Sequence, residues 1–162
     1  MDILDRLLEH DAWTTQAVLR RCASLSDEEL DRPLGIGPGS VRGTLIHVIR
    51  NMEVWTDLIA ERPVRREPSD AGETSVPGLL SRLSLAAEDL ASVSKRIQAA
   101  GRLDAVFRDT LDDPPTTKTF GGAIVHVITH SMHHRAQLLV MLRRLGLSAL
   151  PEGDVLTWEQ RR

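Results

Sequence analysis

Four stretches of this chain carry apolar residues at helical spacing, and the prolines and glycines between them keep the helices apart. They cover residues 2–23, 41–60, about 75–101 and 122–145. Apolar side chains recurring at steps of three and four give each helix one stripe, which needs an opposing stripe to leave water. The punctuation supports the same division. Ser26, with Glu29 three residues on, reads as a capping box for a short helical turn. Residues 33–39, Pro-Leu-Gly-Ile-Gly-Pro-Gly, cannot continue a helix, and Ser40 then caps the second one. The third starts near Ser75–Pro77, where proline is tolerated in a first turn, and stops at Gly101; the fourth stops at Gly146. The polar stretch 61–72, with Pro63 and Pro68, is long enough to cross from one end of a bundle to the other.

Between Leu103 and Phe120 the pattern changes. Val106–Leu111 and Thr117–Phe120 flank Asp112-Asp-Pro-Pro115, the form of a short β-hairpin. The tail from Pro151 to Trp158 is expected to lay an apolar side chain or two on the bundle. Four helices with almost no sheet predict an all-α fold: a four-helix bundle in a single domain, 1–162, with the hairpin before the last long helix.

A chain of 162 residues is long enough for one real core. Its net charge of -3 provides no polycationic face for nucleic acid or anionic lipid. No apolar run reaches membrane-spanning length, and the opening MDILDRLLEHD is too charged for a signal peptide, so a cytoplasmic location is expected. The one cysteine, Cys22, excludes an internal disulfide; on the apolar stripe of the first helix it reads as a buried structural thiol.

Four of the six histidines fall within nine residues of the fourth helix: His126, His130, His133 and His134. At 100° per residue, His134 lies roughly 50° from the direction set by Ile124, Val127, Ile128, Leu138, Leu139, Met141, Leu142 and Leu145, and His130 about 90°. His126 and His133 lie at around 130–150° and are not expected to be ligands. His130 and His134 are therefore the inward pair, one turn apart, the spacing by which a helix offers two imidazoles to one metal. A third ligand is needed. His47, the only histidine of the second helix, sits at the edge of the stripe Leu45, Val48, Ile49, Met52, Trp55 and Ile59, where it can look across a seam. A lone histidine in such a place is commonly just packed or solvated, but two inward imidazoles without partners would be costly to bury. His10 points outward and reads as surface.

Two charged residues also face inward. Asp11 lies mid-stripe among Leu4, Leu7, Leu8, Val18, Leu19 and Cys22, with Thr15 one turn on. Arg135 lies as near the buried direction as His134, on its other side. Asp11 can pair with Arg135, or accept the second ring N–H of a ligating histidine.

The run His130-Ser-Met-His-His-Arg-Ala-Gln137 resembles the last-helix signature H-x-x-x-H-R-G-Q of the DinB/YfiT-like metalloenzyme family (DinB superfamily). The segment Thr44-Leu-Ile-His-Val-Ile-Arg-Asn-Met-Glu-Val-Trp55 is similar to that family's second helix, which carries its first metal histidine, and Leu8-Glu-His-Asp-Ala-Trp13 to its opening helix. The resemblance spans nearly the whole chain in order and spacing. It implies a DinB-type four-helix bundle, a metal held by His47, His130 and His134, and commonly a homodimer. Ala136 replaces the usual glycine, and Thr15 stands where many members have asparagine.

Three protein ligands leave a divalent ion an open position, the pattern of a catalytic site. Zinc is the first expectation, and nickel or iron also suits imidazole. Relatives in the superfamily use low-molecular-weight thiols such as bacillithiol or mycothiol, so the resemblance implies a metal-dependent thiol S-transferase or small hydrolase acting on a small molecule. The alternative is a non-catalytic, metal-stabilised dimer serving as a stress-response or binding module. A zincin would need glutamate at Ser131, so peptidase chemistry is not expected. Gly35-Ile-Gly37 lacks the preceding strand of a dinucleotide-binding turn.

Overall fold

Each long helix begins on a side-chain oxygen that satisfies a backbone N–H left over by the first turn. The computed structural model describes residues 1–68 and 70–161; Ser69, within the expected crossover, and Arg162, at the end of the expected domain, lie outside the described residues. Helix α1 (Ile3–Arg21) starts on a reciprocal capping box between Asp2 and Asp5. A 3₁₀ turn (Cys22–Ser24) and the short α2 (Asp27–Asp31) follow, the latter with the expected Ser26–Glu29 box. Ser40 caps α3 (Val41–Ile59), Ser75 caps α5 (Val76–Ala99) and Thr119 caps α6 (Phe120–Arg144), each accepting from a glycine N–H three residues on. The single turn α4 (Ala71–Thr74) and the tail helix α7 (Val155–Glu159) complete the helices among the described residues.

Ion pairs at the helix ends give the topology. Lys95 near the end of α5 meets Asp5 at the start of α1 at 2.7 Å, so α1 and α5 are antiparallel. Arg42 at the start of α3 donates to the Thr74 carbonyl just before α5, and Arg102 beyond α5 pairs with Glu61 beyond α3. Helices α3 and α5 are therefore parallel, and the chain between them runs the length of the bundle. Arg21 at the end of α1 donates to Ser148 O beyond α6, so these two are also parallel. The four long helices form an up-down-down-up bundle in which α3 and α6 are antiparallel neighbours.

The stripes meet in a core that includes Leu19, Leu45, Ile49, Met52, Leu79, Leu83, Leu90, Ile124, Leu138 and Leu142, all 2% exposed or less. Strands β1 (Val106–Asp109) and β2 (Thr116–Thr119) pair antiparallel with Val106 opposite Thr119, as the expected hairpin. Phe107 and Phe120, with ring centroids 5.2 Å apart, fasten this hairpin to the core.

Four details differ from the sequence reading. Cys22 is fully buried, as expected, but in the 3₁₀ turn rather than in α1, and burial pushes its thiol up to about 12. Leu7 is 42% exposed, because the stripe of α1 turns away from it as Leu8 and Asp11 point inward. His10 is half-buried: it hydrogen-bonds Gly153 O at 3.0 Å and lies edge-on to Trp158, so the tail covers what would otherwise be an open helix face. The turn α4 begins at the end of the stretch taken as crossover and runs past it to Thr74, on an Asp70 cap.

The described part of the crossover is locked by charge. Asp57, near the end of α3 and only 1% exposed, accepts from Arg62 and Arg65, and both arginines also reach Asp89 of α5. Burial raises the Asp57 carboxyl, but the hydrogen bonds of Arg65 and Arg62 outweigh it and bring it down to about 2.

Candidate metal centre

Helix α6 places His130 and His134 one turn apart on the side facing α3, and the antiparallel α3 brings His47 to the same point. The three rings converge through the same atom. Nε2 of His130 lies 3.0 Å from Nε2 of His47 and 3.2 Å from Nε2 of His134. All three ligand nitrogens fall within 4.8 Å of one another. Four-coordinate zinc with Zn–N near 2.0–2.1 Å requires nitrogen–nitrogen edges of about 3.3 Å, so the two short edges are already close to one face of such a tetrahedron.

Burial is graded across the triad: His47 exposed, His130 half-buried, His134 buried at 8%. Burial and the His134 charge lower the pKa of His47. Burial, with His134, His47, His126 and His133 around it, brings His130 down to about 4. Imidazoles held this way resist protonation at neutral pH and keep lone pairs free for a cation. Among the described residues this all-imidazole cluster is the grouping of metal-ligating side chains that converges.

The other sequence candidates fall into distinct places. His126 is exposed and lies tilted against Trp55 with ring centroids 5.0 Å apart. His133 is exposed and its Nε2 accepts from the Gln137 amide at 2.9 Å. Neither joins the triad of Nε2 atoms. Asp11, 2% exposed, receives Arg135 Nη1, which also reaches Thr15 Oγ1 at 2.9 Å. Between the two partners left open by the sequence, the structure brings Asp11 to Arg135, not to a ring N–H of the triad. Burial pushes the Asp11 carboxyl up, against the opposing pull of Arg135, and the Ser131 hydroxyl stands beside the same carboxylate. Thr15, the residue that departs from the family pattern, serves as an acceptor for Arg135 and donates to Asp11 O at 2.7 Å.

Gln137 was missed by the sequence reading as a site residue. Its Oε1 lies 2.8 Å from Nδ1 of His134. The signal was present: Gln137 is three residues after His134 and so on the same face, and it closes the quoted last-helix run.

Beside His47 an open cleft of about 380 Å³ is lined by Pro38, Ile46, Arg50, Pro68 and Thr74, among others. Arg50 is fixed there by donating to the carbonyls of Arg65 and Arg66. The triad thus has solvent access through its exposed member.

A four-helix bundle with an imidazole triad across one antiparallel helix seam defines a class of protein, and the family follows. The DinB family profile matches residues 1–157, and the chain belongs to the DinB family. Two solved structures share the fold. A DinB-like protein from Bacillus cereus ATCC 10987 is 18% identical, with a TM-score of 0.65 over 89% of this chain and 91% of that one. A protein from Exiguobacterium sibiricum 255-15, assigned to the DinB family, is 22% identical, with a TM-score of 0.63 over 93% and 95% of the two chains. No functionally curated protein matches significantly.

Proposed function

We propose that His47, His130 and His134 hold one divalent metal ion, zinc by preference with nickel or iron also suited, and that the protein is a metal-dependent enzyme acting on a small molecule. The observation that carries this is the convergence of three Nε2 atoms with edges of 3.0 and 3.2 Å. When bound, a three-imidazole ion with an open position supplies Lewis acidity and lowers the pKa of a water or thiol there.

The residues around the triad fit that use. The cleft beside His47 has room for a small thiol or ester, and Ile46, Pro38 and Pro68 give it an apolar wall. Ser131 occupies the position at which a zincin carries its glutamate base, so the activity in view is thiol S-transfer or hydrolysis of a small substrate, not peptide cleavage. Of the triad, His47 lines this cleft, and a substrate seated there would lie beside the metal position; a purely structural site would instead be closed by side chains.

The protein is further proposed to act as a homodimer. Val125, Met132 and Val140 stand on the outer side of α6, at 56%, 60% and 41% exposure, more apolar surface than a solvated helix face needs.

The test combines metal analysis of untagged protein with a conjugation screen, in which low-molecular-weight thiols are offered with small electrophiles. The reading predicts about one metal per chain and turnover that is lost on chelation and in His130→Ala. Metal-free protein that takes up none of zinc, nickel or iron would refute it.

A further inference from the structure

The loop between α2 and α3 reaches the triad through one side chain. Gln137 bridges two histidines: its Oε1 lies 2.8 Å from His134 Nδ1, and its Nε2 lies 2.9 Å from His133 Nε2. The roles follow from the chemistry of an amide. Its nitrogen only donates, so His133 Nε2 accepts; its oxygen only accepts, so His134 Nδ1 carries the proton. With the proton on Nδ1, the lone pair of neutral His134 is on Nε2, the atom aimed at His47 and His130.

Gly37 backs this bridge. It has φ +49, and a Cβ placed on it would fall 2.2 Å from Gln137 Oε1 and 3.0 Å from Cδ. No residue with a side chain fits there while Gln137 stays on His134. The loop holding Gly37 is itself tied down: Leu34 N donates to Gly39 O at 2.8 Å, Gly39 N to Ile36 O at 2.9 Å, and Arg144 to Leu34 O at 3.2 Å. A loop with few regular contacts is thus set by three hydrogen bonds against the one amide that fixes a triad histidine.

We propose that Gly37, Gln137 and His133 form a positioning relay that sets the tautomer and orientation of His134, with the backbone of the 33–39 loop as its backstop. Gln137 and Gly37 are positioning residues; neither touches the metal position. The inference rests on the metal reading above, in which His134 is a ligand, and it assigns that site a control point 100 residues away in sequence from the amide it presses.

The experiment uses the full chain and two readouts. The first is the ¹⁵N pattern of the His134 ring in metal-free protein, which distinguishes Nδ1–H from Nε2–H. The second is zinc affinity by competition with a chromophoric chelator. In the wild type, His134 is held as Nδ1–H. In Gln137→Leu it becomes a tautomer mixture, and zinc affinity falls on the order of 10–100-fold. Gly37→Ala has the same effect by displacing the amide, and the double variant binds no more weakly than the weaker single one, because both act through one contact. Gln137→Glu, which retains the acceptor, restores the Nδ1–H form and wild-type affinity or better. An unchanged His134 tautomer in Gln137→Leu would overturn the relay, as would additive losses in the double variant. If the wild type takes up none of zinc, nickel or iron, the metal reading fails, while the tautomer measurement still decides the relay by itself.

Discussion

Replacing Asp11 with leucine breaks a buried ion pair between two helices of the bundle from one side. Asp11 and Arg135 have side chains 2% and 7% exposed, and they join α1 to α6. Removing the carboxylate leaves Arg135 Nη1 with only Thr15 Oγ1 at 2.9 Å and Asp11 O at 3.5 Å, both neutral acceptors. Breaking a buried pair from one side typically costs about 3–5 kcal/mol, because a charge stays in the core without its partner. At about 2–4 °C per kcal/mol for a chain of this size, the melting temperature should fall by roughly 6–20 °C. Urea unfolding of the metal-free protein, followed by far-ultraviolet circular dichroism, measures the loss directly. The companion variant Asp11→Leu/Arg135→Met removes both charges and should recover most of it, since an apolar replacement of a buried pair is commonly neutral or better. Zinc affinity of folded Asp11→Leu should stay near wild type, because the carboxylate meets Arg135 and not the triad. A stability change within about 0.5 kcal/mol, the range of ordinary surface substitutions, would refute the reasoning.

Asp57 makes stability depend on pH in acid. Its folded pKa of about 2 lies below that of an unfolded aspartate, so its stabilisation is complete above the unfolded value and is lost as pH falls through the folded one. Urea stability should drop by about 2 kcal/mol more between pH 5 and pH 2 in the wild type than in Asp57→Asn; equal slopes would remove Asp57 from the account. His126→Ala and His133→Ala should each still bind one zinc per chain, with any loss in His133→Ala smaller than in His134→Ala; complete loss in either would mean that α6 presents a different pair. Light scattering at micromolar concentration should give a dimer for the wild type and a monomer for Met132→Glu, and a monomeric wild type would contradict the proposed interface.

The fold was legible because its signals are local. Ser26, Ser40 and Ser75 mark helix starts by chemistry that acts within three residues, and Gly101 and Gly146 end α5 and α6 with φ +66 and +87, as glycine at a helix stop should. The i, i+4 pair of His130 and His134 could be placed by angle alone, because α6 carries enough large apolar residues to fix its buried direction. His47 was harder: an edge position specifies a seam but not its partner, and resemblance to a family had to add that. What the sequence concealed depends on contacts between distant segments. Leu7 has the spacing of a core residue, yet Asp11 draws the buried direction of α1 toward Arg135. His10 was read as surface because nothing in α1 foretells that Gly153 and Trp158 return to cover it. Arg62 and Arg65 lie in the polar stretch 61–72 with no local sign of a partner, and only the fold brings them to Asp57 and Asp89. Gln137 was visible in the motif, but its use requires Gly37, and no periodicity links a loop glycine to a helix amide 100 residues on.

The central claim is that three imidazoles on two helices hold one metal. Anomalous diffraction at the zinc edge, from crystals of the zinc-loaded protein, tests it most directly. The account predicts one strong peak per chain, about 2.0–2.2 Å from Nε2 of His47, His130 and His134. A zinc-loaded crystal with its peak on other residues, or with those three rings pointing apart, would contradict it.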